Sequence, residues 1–190
     1  MPNRNTTHSE QTMSQANQLK EDNILYRQLY LAKESLFDLC NFELSDFVME
    51  DESREYEACS FKLNDLRIRF RASKITPEKT GQFVTIWKRN KQNITAPFNQ
   101  NDDFDFLIIC SQDKNNFGLF IFSKTILADK GIITINNKDG KRGIRVYPNW
   151  NTVTNKQAEK TQRWQTKHFI DLRANEQPNL DSAKQLFGTS

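Results

Sequence analysis

A short stretch of this 190-residue chain alternates apolar and cationic side chains with a period of two. Residues 66–71 run Leu-Arg-Ile-Arg-Phe-Arg. Successive side chains of a β-strand point to opposite faces, so this pattern predicts a strand with one apolar face and three guanidinium groups on the other. We call Arg67, Arg69 and Arg71 the arginine row. Because like charges on one strand face repel each other, the row requires carboxylates from the protein or phosphates from a polyanionic partner.

The distribution of charge along the chain is more informative than its net value of +3. Residues 61–100 contain nine Lys or Arg and two acids, whereas acids dominate residues 20–60, which include the run Glu50-Asp51-Glu52. Residues 114–150 are again basic. This asymmetry predicts a positive surface opposite a negative one. The alternative is that the acidic part covers the basic sheet and neutralises it.

The composition also indicates a compartment. No apolar run approaches the roughly 18 residues of a membrane span, and the polar N-terminus lacks the apolar core of a secretory signal. The isolated cysteines, Cys40, Cys59 and Cys110, have apolar neighbours and are predicted to be buried free thiols. Free thiols persist in a reducing compartment, so we expect a cytoplasmic protein with no membrane association.

Hydrophobic periodicity predicts one domain between two tails. We expect a disordered tail over residues 1–19, a single α+β domain over residues 20–174 and a loose tail over residues 175–190. Helices are predicted over residues 24–41, 123–130 and 154–172, with an acidic connector over residues 42–53. Ser123 is the predicted cap of the second helix, and Asn155 or Thr154 is predicted to open the third. Strands are predicted over residues 56–63, 66–73, 82–89, 104–110 and 117–122, and a hairpin over residues 132–147 with a Gly-rich tip at 138–143. Together these elements predict a central mixed, mostly antiparallel sheet flanked by helices.

Four segments carry a family resemblance. Residues 76–89, 103–106, 140–150 and 161–165 read TPEKTGQFVTIWKR, DFDF, GKRGIRVYPNW and TQRWQ. In this order, within residues 56–172, they resemble the segments of the MepB family. The resemblance implies a bacterial cytoplasmic protein with a core similar to that of restriction endonucleases. It also implies a role with nucleic acid.

Nucleases of that fold hold Mg²⁺ with an acid on one strand and an acid-x-lysine triplet on the next. Residues 139–141, Asp-Gly-Lys, match the triplet, but they lie in the Gly-rich tip, which is less rigid than adjacent strands. Lys88 follows Ile86 where the triplet requires an acid. Asp103 and Asp105 share a strand face and are the candidate metal ligands. With Lys88 they are also the candidate catalytic residues, and Mg²⁺ is expected only in that case. The alternative is that both aspartates pair with the arginine row.

Cationic side chains are the stronger candidates for binding, because phosphate contacts supply most of the affinity for nucleic acid. The candidates are Arg71, Lys74, Lys79, Lys88, Arg89, Lys141, Arg142 and Arg145. Within the arginine row we expect Arg67 and Arg69 to be structural, with Arg69 paired to an acid such as Glu57. We expect Arg71 to be available to a ligand.

Three functional hypotheses follow from these patterns. The first is a nucleic-acid-binding protein, with DNA as the expected partner, that makes phosphate contacts from its basic strands and from the Gly-Lys-Arg-Gly tip at residues 140–143 and has no catalytic activity. The second is a metal-dependent nuclease that uses Asp103 and Asp105. The third is a protein-interaction module whose arginine row is neutralised internally. The sequence leaves the oligomeric state open.

Overall fold

The computed structural model describes residues 26–173 and 177–188. The predicted disordered tail over residues 1–19 lies outside them. The helices are α1 (Arg27–Ala32, continued by a π-helical turn over Lys33–Phe37), α2 (Lys124–Asp129), α3 (Lys156–Gln165) and α4 (Leu180–Phe187). Short 3₁₀ turns cover Arg54–Tyr56 and Thr166–His168. In this part of the chain, no helix has the length and apolar character needed to cross a membrane.

Eleven strands lie in the described residues. They are β1 (Leu44–Met49), β2 (Cys59–Leu63), β3 (Leu66–Ala72), β4 (Lys74–Ile75), β5 (Gln82–Thr85), β6 (Trp87–Arg89), β7 (Thr95–Pro97), β8 (Phe106–Asp113), β9 (Asn116–Ser123), β10 (Gly143–Val146) and β11 (Phe169–Asp171). The central sheet has the order β1-β2-β3-β8-β9-β11, and only the pair β3–β8 is parallel. This confirms the prediction of an α+β fold with a mixed, mostly antiparallel sheet flanked by helices.

Each face of the central sheet covers its own hydrophobic core. Ile68 and Phe70 of β3 lie in a core that includes residues of α1 and α4. Leu107 and Ile109 of β8 point the other way, into a core that includes residues of β5, β10 and α2, with Trp164 of α3 packed against it. Burying one such side chain contributes about 1.5–3 kcal/mol. The two cores therefore fix α1 and β10 on opposite faces of the sheet.

Two small sheets accompany the central sheet. β10, β5 and β4 form one antiparallel sheet, and β6 pairs with β7 in a separate hairpin. The predicted strand over residues 82–89 is thus split into β5 and β6. The predicted hairpin over residues 132–147 is wrong, because β10 pairs with β5 instead. In that region Lys141 N–H donates to the carbonyl of Ile132 at 2.8 Å, and Gly140 N–H donates to Thr134 Oγ1 at 2.9 Å.

The backbone of the Gly-rich tip therefore packs against residues 132–134, while the side chains of Lys138, Asp139, Lys141 and Arg142 are exposed. A Cβ on Gly140 would lie 2.5 Å from the Ile132 carbonyl oxygen, so the position needs glycine for a close backbone approach.

Two connecting regions also differ from the predictions. The predicted acidic connector over residues 42–53 contains β1, whose alternation is broken by a register shift between Ser45 and Val48. The predicted loose tail over residues 175–190 contains α4. Phe187 of α4 stacks edge-on against Phe42 and Phe106 at 5.1 and 5.3 Å between ring centroids, so this helix is anchored in the first core.

The last predicted helix is shorter than expected. α3 begins after Asn155, one of the two residues predicted to open it, and the Asn155 side chain accepts a hydrogen bond from Ala158 N–H at 2.8 Å. It ends at Gln165 rather than near Leu172. Residues 169–171 form β11 because Phe169 and Ile170 bury their side chains against β9 at the sheet edge.

Candidate functional site

The arginine row lies on β3 and faces protein carboxylates. Arg67 donates to Asp105 from Nε at 3.0 Å and from Nη2 at 2.7 Å, and it also contacts Asp103. These bonds outweigh the effect of partial burial and hold the pKa of Asp105 below its usual value. Both candidate metal ligands, Asp103 and Asp105, are thus paired with the guanidinium group of Arg67. This arrangement is the predicted alternative, in which the two aspartates pair with the arginine row. Cation binding between them would require Arg67 to move away.

Arg69 and Arg71 share a single carboxylate. Arg69 Nη1 donates to Glu50 Oε1 at 2.6 Å, and Arg71 Nη2 contacts the other oxygen of the same group. Arg71 is 0% exposed, and it also donates to the carbonyl of Phe70 at 2.8 Å. The prediction that Arg71 is available to a ligand is therefore wrong. The reason is that β1 pairs with β2, and β2 pairs with β3. This arrangement brings Glu50, the residue after β1, to Arg69 and Arg71.

Two guanidinium groups, the buried one of Arg71 and the half-buried one of Arg69, therefore share a single negative charge. Both guanidinium groups lie over the Phe98 ring, at 5.9 and 5.7 Å from its centroid, and this contact stabilises part of the excess charge. Within the described residues, the Nε atoms of Arg69 and Arg71 have no hydrogen-bond partner. Among the described residues, Glu50 is therefore the one carboxylate that pairs with Arg69 and Arg71, and their stability in the fold depends on it.

Glu57, the predicted partner of Arg69, has a different role. Its Oε2 accepts hydrogen bonds from the backbone N–H groups of Gln28 and Leu29, at 3.1 and 3.4 Å, in the first turn of α1. Tyr26, which precedes α1, makes no side-chain capping bond to this helix. Glu57, which is distant in the sequence, supplies the hydrogen-bond acceptor for the first N–H groups of α1 instead. Burial raises the pKa of Glu57 to about 7.

Several other candidate cations also contact carboxylates or an aromatic ring of the protein itself. Lys88 pairs with Asp102 rather than with Asp103 or Asp105, and Arg89 Nε donates to Glu52 at 2.6 Å. Lys74 Nζ lies 4.8 Å from the centre of the Tyr56 ring. The structure therefore does not bring Lys88 together with the two aspartates. Across the described residues, no group of three or more His, Cys, Asp or Glu side chains could hold a metal ion.

Two candidate arginines near β10 contact neutral oxygens only. Arg145 donates to Thr76 Oγ1 at 2.6 Å and to the Gly81 carbonyl at 3.1 Å, which staples the turn before β5. Arg142 donates to the Thr95 carbonyl at 3.3 Å. In the described structure neither guanidinium has a carboxylate partner. Their positive charge is consequently not neutralised by the protein, in contrast to the arginine row.

Beside Arg145 lies a cleft of about 400 Å³ between β10, α3 and the end of α2. We call it the basic cleft. Its lining consists of Lys130, Ile132, Lys141, Gly143, Ile144, Arg145, Tyr147, Asn155, Gln157, Ala158, Thr161, Trp164 and Gln165. Three of these described residues are cationic and none is acidic. Of the three, Lys141 and Arg145 are predicted by the sequence, and Lys130 is not.

The wall of the basic cleft is held by the TQRWQ segment. Gln165 is 1% exposed, and its amide accepts from Tyr147 N–H and donates to the Arg145 carbonyl, both at 2.9 Å. The side chain thus takes the place of a neighbouring strand along the edge of β10. Gln162 donates to the carbonyls of Pro148 and Asn151 at 2.9 and 2.8 Å. These two glutamines fix β10 and the following loop to α3.

The three cysteines lie where the sequence predicts them. Cys40, Cys59 and Cys110 are buried free thiols. Burial raises the pKa of each thiol, so none of them is an activated nucleophile.

Comparisons with known proteins agree with the family resemblance. The chain is 35% identical to the protein in a crystal structure of MepB, with a TM-score of 0.67 over 70% of this chain and 88% of that chain. It also matches the structure of a bacterial homing endonuclease, I-Ssp6803I, at 13% identity and a TM-score of 0.42, over 75% of this chain and 86% of that chain. A match at this level supports no inference about activity. The search of curated proteins returns no match. The MepB-like family model matches residues 50–171, and the chain belongs to this family.

Proposed function

We propose that this protein binds nucleic acid, with DNA as the first candidate, through phosphate contacts made by the surface around β10. The observation that carries the proposal is the lining of the basic cleft, in which Lys130, Lys141 and Arg145 have no acidic neighbour among the described lining residues. A surface of this kind attracts a polyanion and carries no code for base sequence. Buried free thiols fit the cytoplasm as the compartment of this activity.

The proposed contact residues differ in part from the sequence prediction. Lys79, Lys141, Arg142 and Arg145 remain candidates, and Lys130 joins them. The side chains of Lys79, Lys141 and Arg142 are exposed, so they can reach phosphates without unfolding any part of the site. The other predicted candidates, Arg71, Lys74, Lys88 and Arg89, are not part of the proposal. Arg71, Lys88 and Arg89 are paired with carboxylates. Lys74 lies on β4, which is the edge of the three-stranded sheet opposite to β10.

The two alternative hypotheses have weaker support. A nuclease that uses Asp103 and Asp105 must first displace Arg67 from both carboxylates. Its triplet lysine would also be missing, because Lys88 pairs with Asp102. A protein-interaction module is consistent with the neutralised arginine row, but it offers no reason for a cleft whose charged lining residues, among those described, are all cations.

A charge-matched pair of double variants tests the proposal. In the first, Lys141→Gln and Arg142→Gln remove two exposed cations beside β10. In the second, Arg27→Gln and Lys33→Gln remove the same two residue types from α1, on the opposite face of the central sheet. Both proteins have the same net charge, so a difference between them reports the position of the lost charges. Fluorescence anisotropy with a labelled 20-base-pair duplex at low salt is the measurement.

We expect the β10 double variant to lose at least about fivefold in affinity and the α1 double variant to lose less than about twofold. Equal losses would show that only net charge matters. Absence of binding by the unmodified protein at low salt would refute the proposal itself.

A further inference from the structure

We infer that a second cleft, between the end of α2 and the turn at residues 135–138, binds a small organic cation made of one ammonium group and a short aliphatic chain. We call it the isoleucine cleft. It shares no lining residue with the basic cleft. The inference therefore does not rest on the proposed function and goes beyond it.

The first support is an apolar surface of suitable size. The isoleucine cleft has a volume of about 340 Å³, within the range of pockets that enclose small ligands. Ala128, Ile133 and Ile135 form its apolar part, and all three belong to the second core or pack against it. An aliphatic chain covers this surface, whereas an inorganic ion leaves it in contact with water.

The second support is the charge of the lining. Asp129 and Asp139 stand against Lys138, so the described lining residues carry one excess negative charge. Neither carboxylate accepts a hydrogen bond or forms an ion pair within the described residues. Each is therefore available to an ammonium group, which binds carboxylates through charge-assisted hydrogen bonds. A ligand with a single positive charge balances the excess.

The third support is that the turn on one side of the cleft is preformed. Ile135 N–H donates to the Lys138 carbonyl at 3.1 Å, and Lys138 N–H donates to the Ile135 carbonyl at 2.8 Å. Between them, Asn136 and Asn137 have left-handed φ angles of 46° and 65°, which a tight two-residue turn requires and asparagine tolerates. The turn therefore fixes the backbone that carries Ile135 and Lys138 into the cleft.

Gly131 shapes the other side of the cleft. Its φ of +62° follows the last turn of α2, and its N–H donates to the Ala128 carbonyl at 2.9 Å. A Cβ on Gly131 would meet no atom beyond its chain neighbours within 4 Å. The cleft is therefore open at the end of α2.

A metal ion fits this lining less well than an organic cation does. A divalent metal ion of the Mg²⁺ or Ca²⁺ type takes roughly six or more oxygen ligands. Across the described residues, no group of three or more His, Cys, Asp or Glu side chains could supply them. A metal ion would also leave Ile133 and Ile135 without a role.

Nuclear magnetic resonance titration of the ¹⁵N-labelled protein with butylammonium tests the inference. We expect saturable shifts of backbone signals centred on residues 128–139. Burying one CH₂ group raises affinity about fourfold, so methylammonium, which has a shorter chain, should bind at least about tenfold more weakly. Butanol has the chain without the charge and should also bind at least about tenfold more weakly.

A pair of double variants with equal net charge locates the site. Asp129→Asn/Asp139→Asn removes both carboxylates of the cleft and should lower the affinity for butylammonium by at least about fivefold. Asp65→Asn/Asp181→Asn removes two exposed carboxylates outside the cleft and should lower it by less than about twofold, since distant surface charges are screened. Circular dichroism melting curves confirm that both variants are folded.

Four results would overturn the inference. Equal affinity for methylammonium would show unspecific attraction between charges, and equal affinity for butanol would show apolar contact alone. Unchanged butylammonium binding by the folded Asp129→Asn/Asp139→Asn protein would place the ligand elsewhere. Absence of saturable shifts at residues 128–139 would show that the cleft holds no such cation.

Discussion

Glu57 should make the stability of the protein depend on pH, and replacing Glu57 by glutamine should remove that contribution. The folded-state pKa of this carboxyl is about 7, against 4.5 for the free group. Between these two pH values the folded protein binds more protons than the unfolded chain. The free energy of unfolding must therefore fall as the pH rises through this window, and the loss is complete above pH 7.

The magnitude follows from the same pKa values. A shift of one unit corresponds to about 1.36 kcal/mol, so a rise from 4.5 to about 7 sets an upper bound of roughly 3.4 kcal/mol. Glu57 is partly exposed, and solvent screening reduces this figure. We expect about 1–2 kcal/mol of destabilisation at pH 8 relative to pH 4.5.

Glu57→Gln keeps a carbonyl oxygen that can accept from Gln28 and Leu29 but cannot ionise. The variant should match the unmodified protein near pH 4.5 and exceed it by about 1–2 kcal/mol at pH 8. Urea unfolding monitored by tryptophan fluorescence, repeated between pH 4.5 and pH 8, measures the difference. Glu55→Gln, at a neighbouring exposed position, is the control and should leave the pH profile unchanged. Parallel profiles for the unmodified protein and Glu57→Gln, or a less stable variant at pH 8, would contradict the reasoning.

Further substitutions test the arginine row and the caps by the same urea assay. Glu50→Gln should cost about 3–5 kcal/mol, because Arg69 and the buried Arg71 then lose their shared carboxylate. Arg71→Met should cost much less, since it removes the excess cation, and an equal or larger cost would contradict the shared-carboxylate interpretation. Arg67→Ala should leave the urea midpoint nearly unchanged, as its ion pairs lie at the surface, and a clear drop of the midpoint would show that they are structural. Asn155→Ala should cost about 1 kcal/mol through the lost cap of α3, and an unchanged midpoint would refute that role.

Local patterns in the sequence predict the parts of the fold that local physics controls. The alternation in residues 66–71 identifies β3 because one face of that strand is buried against a core, which enforces a period of two. The caps of α2 and α3 are predicted for a similar reason. Ser123 and Asn155 each accept a backbone hydrogen bond from the residue three positions later.

The parts that the sequence could not predict depend on contacts between distant residues. Glu50 becomes the partner of Arg69 and Arg71 only because β1 joins the sheet, and the broken alternation of β1 conceals that strand. Lys130 ends a short helix, which is a common position for a cation. It enters the basic cleft only through the docking of α2 beside α3, and no local pattern indicates that arrangement.

The salt dependence of DNA binding is the most direct test of phosphate contacts around β10. Each phosphate contact that is lost should reduce the slope of log K against log salt concentration by about 0.9 on duplex DNA. The Lys141→Gln/Arg142→Gln protein should therefore show a slope that is smaller by roughly 1 to 2 than that of the unmodified protein. The Arg27→Gln/Lys33→Gln protein should retain the original slope. Identical slopes for all three proteins would contradict the assignment of phosphate contacts to this surface.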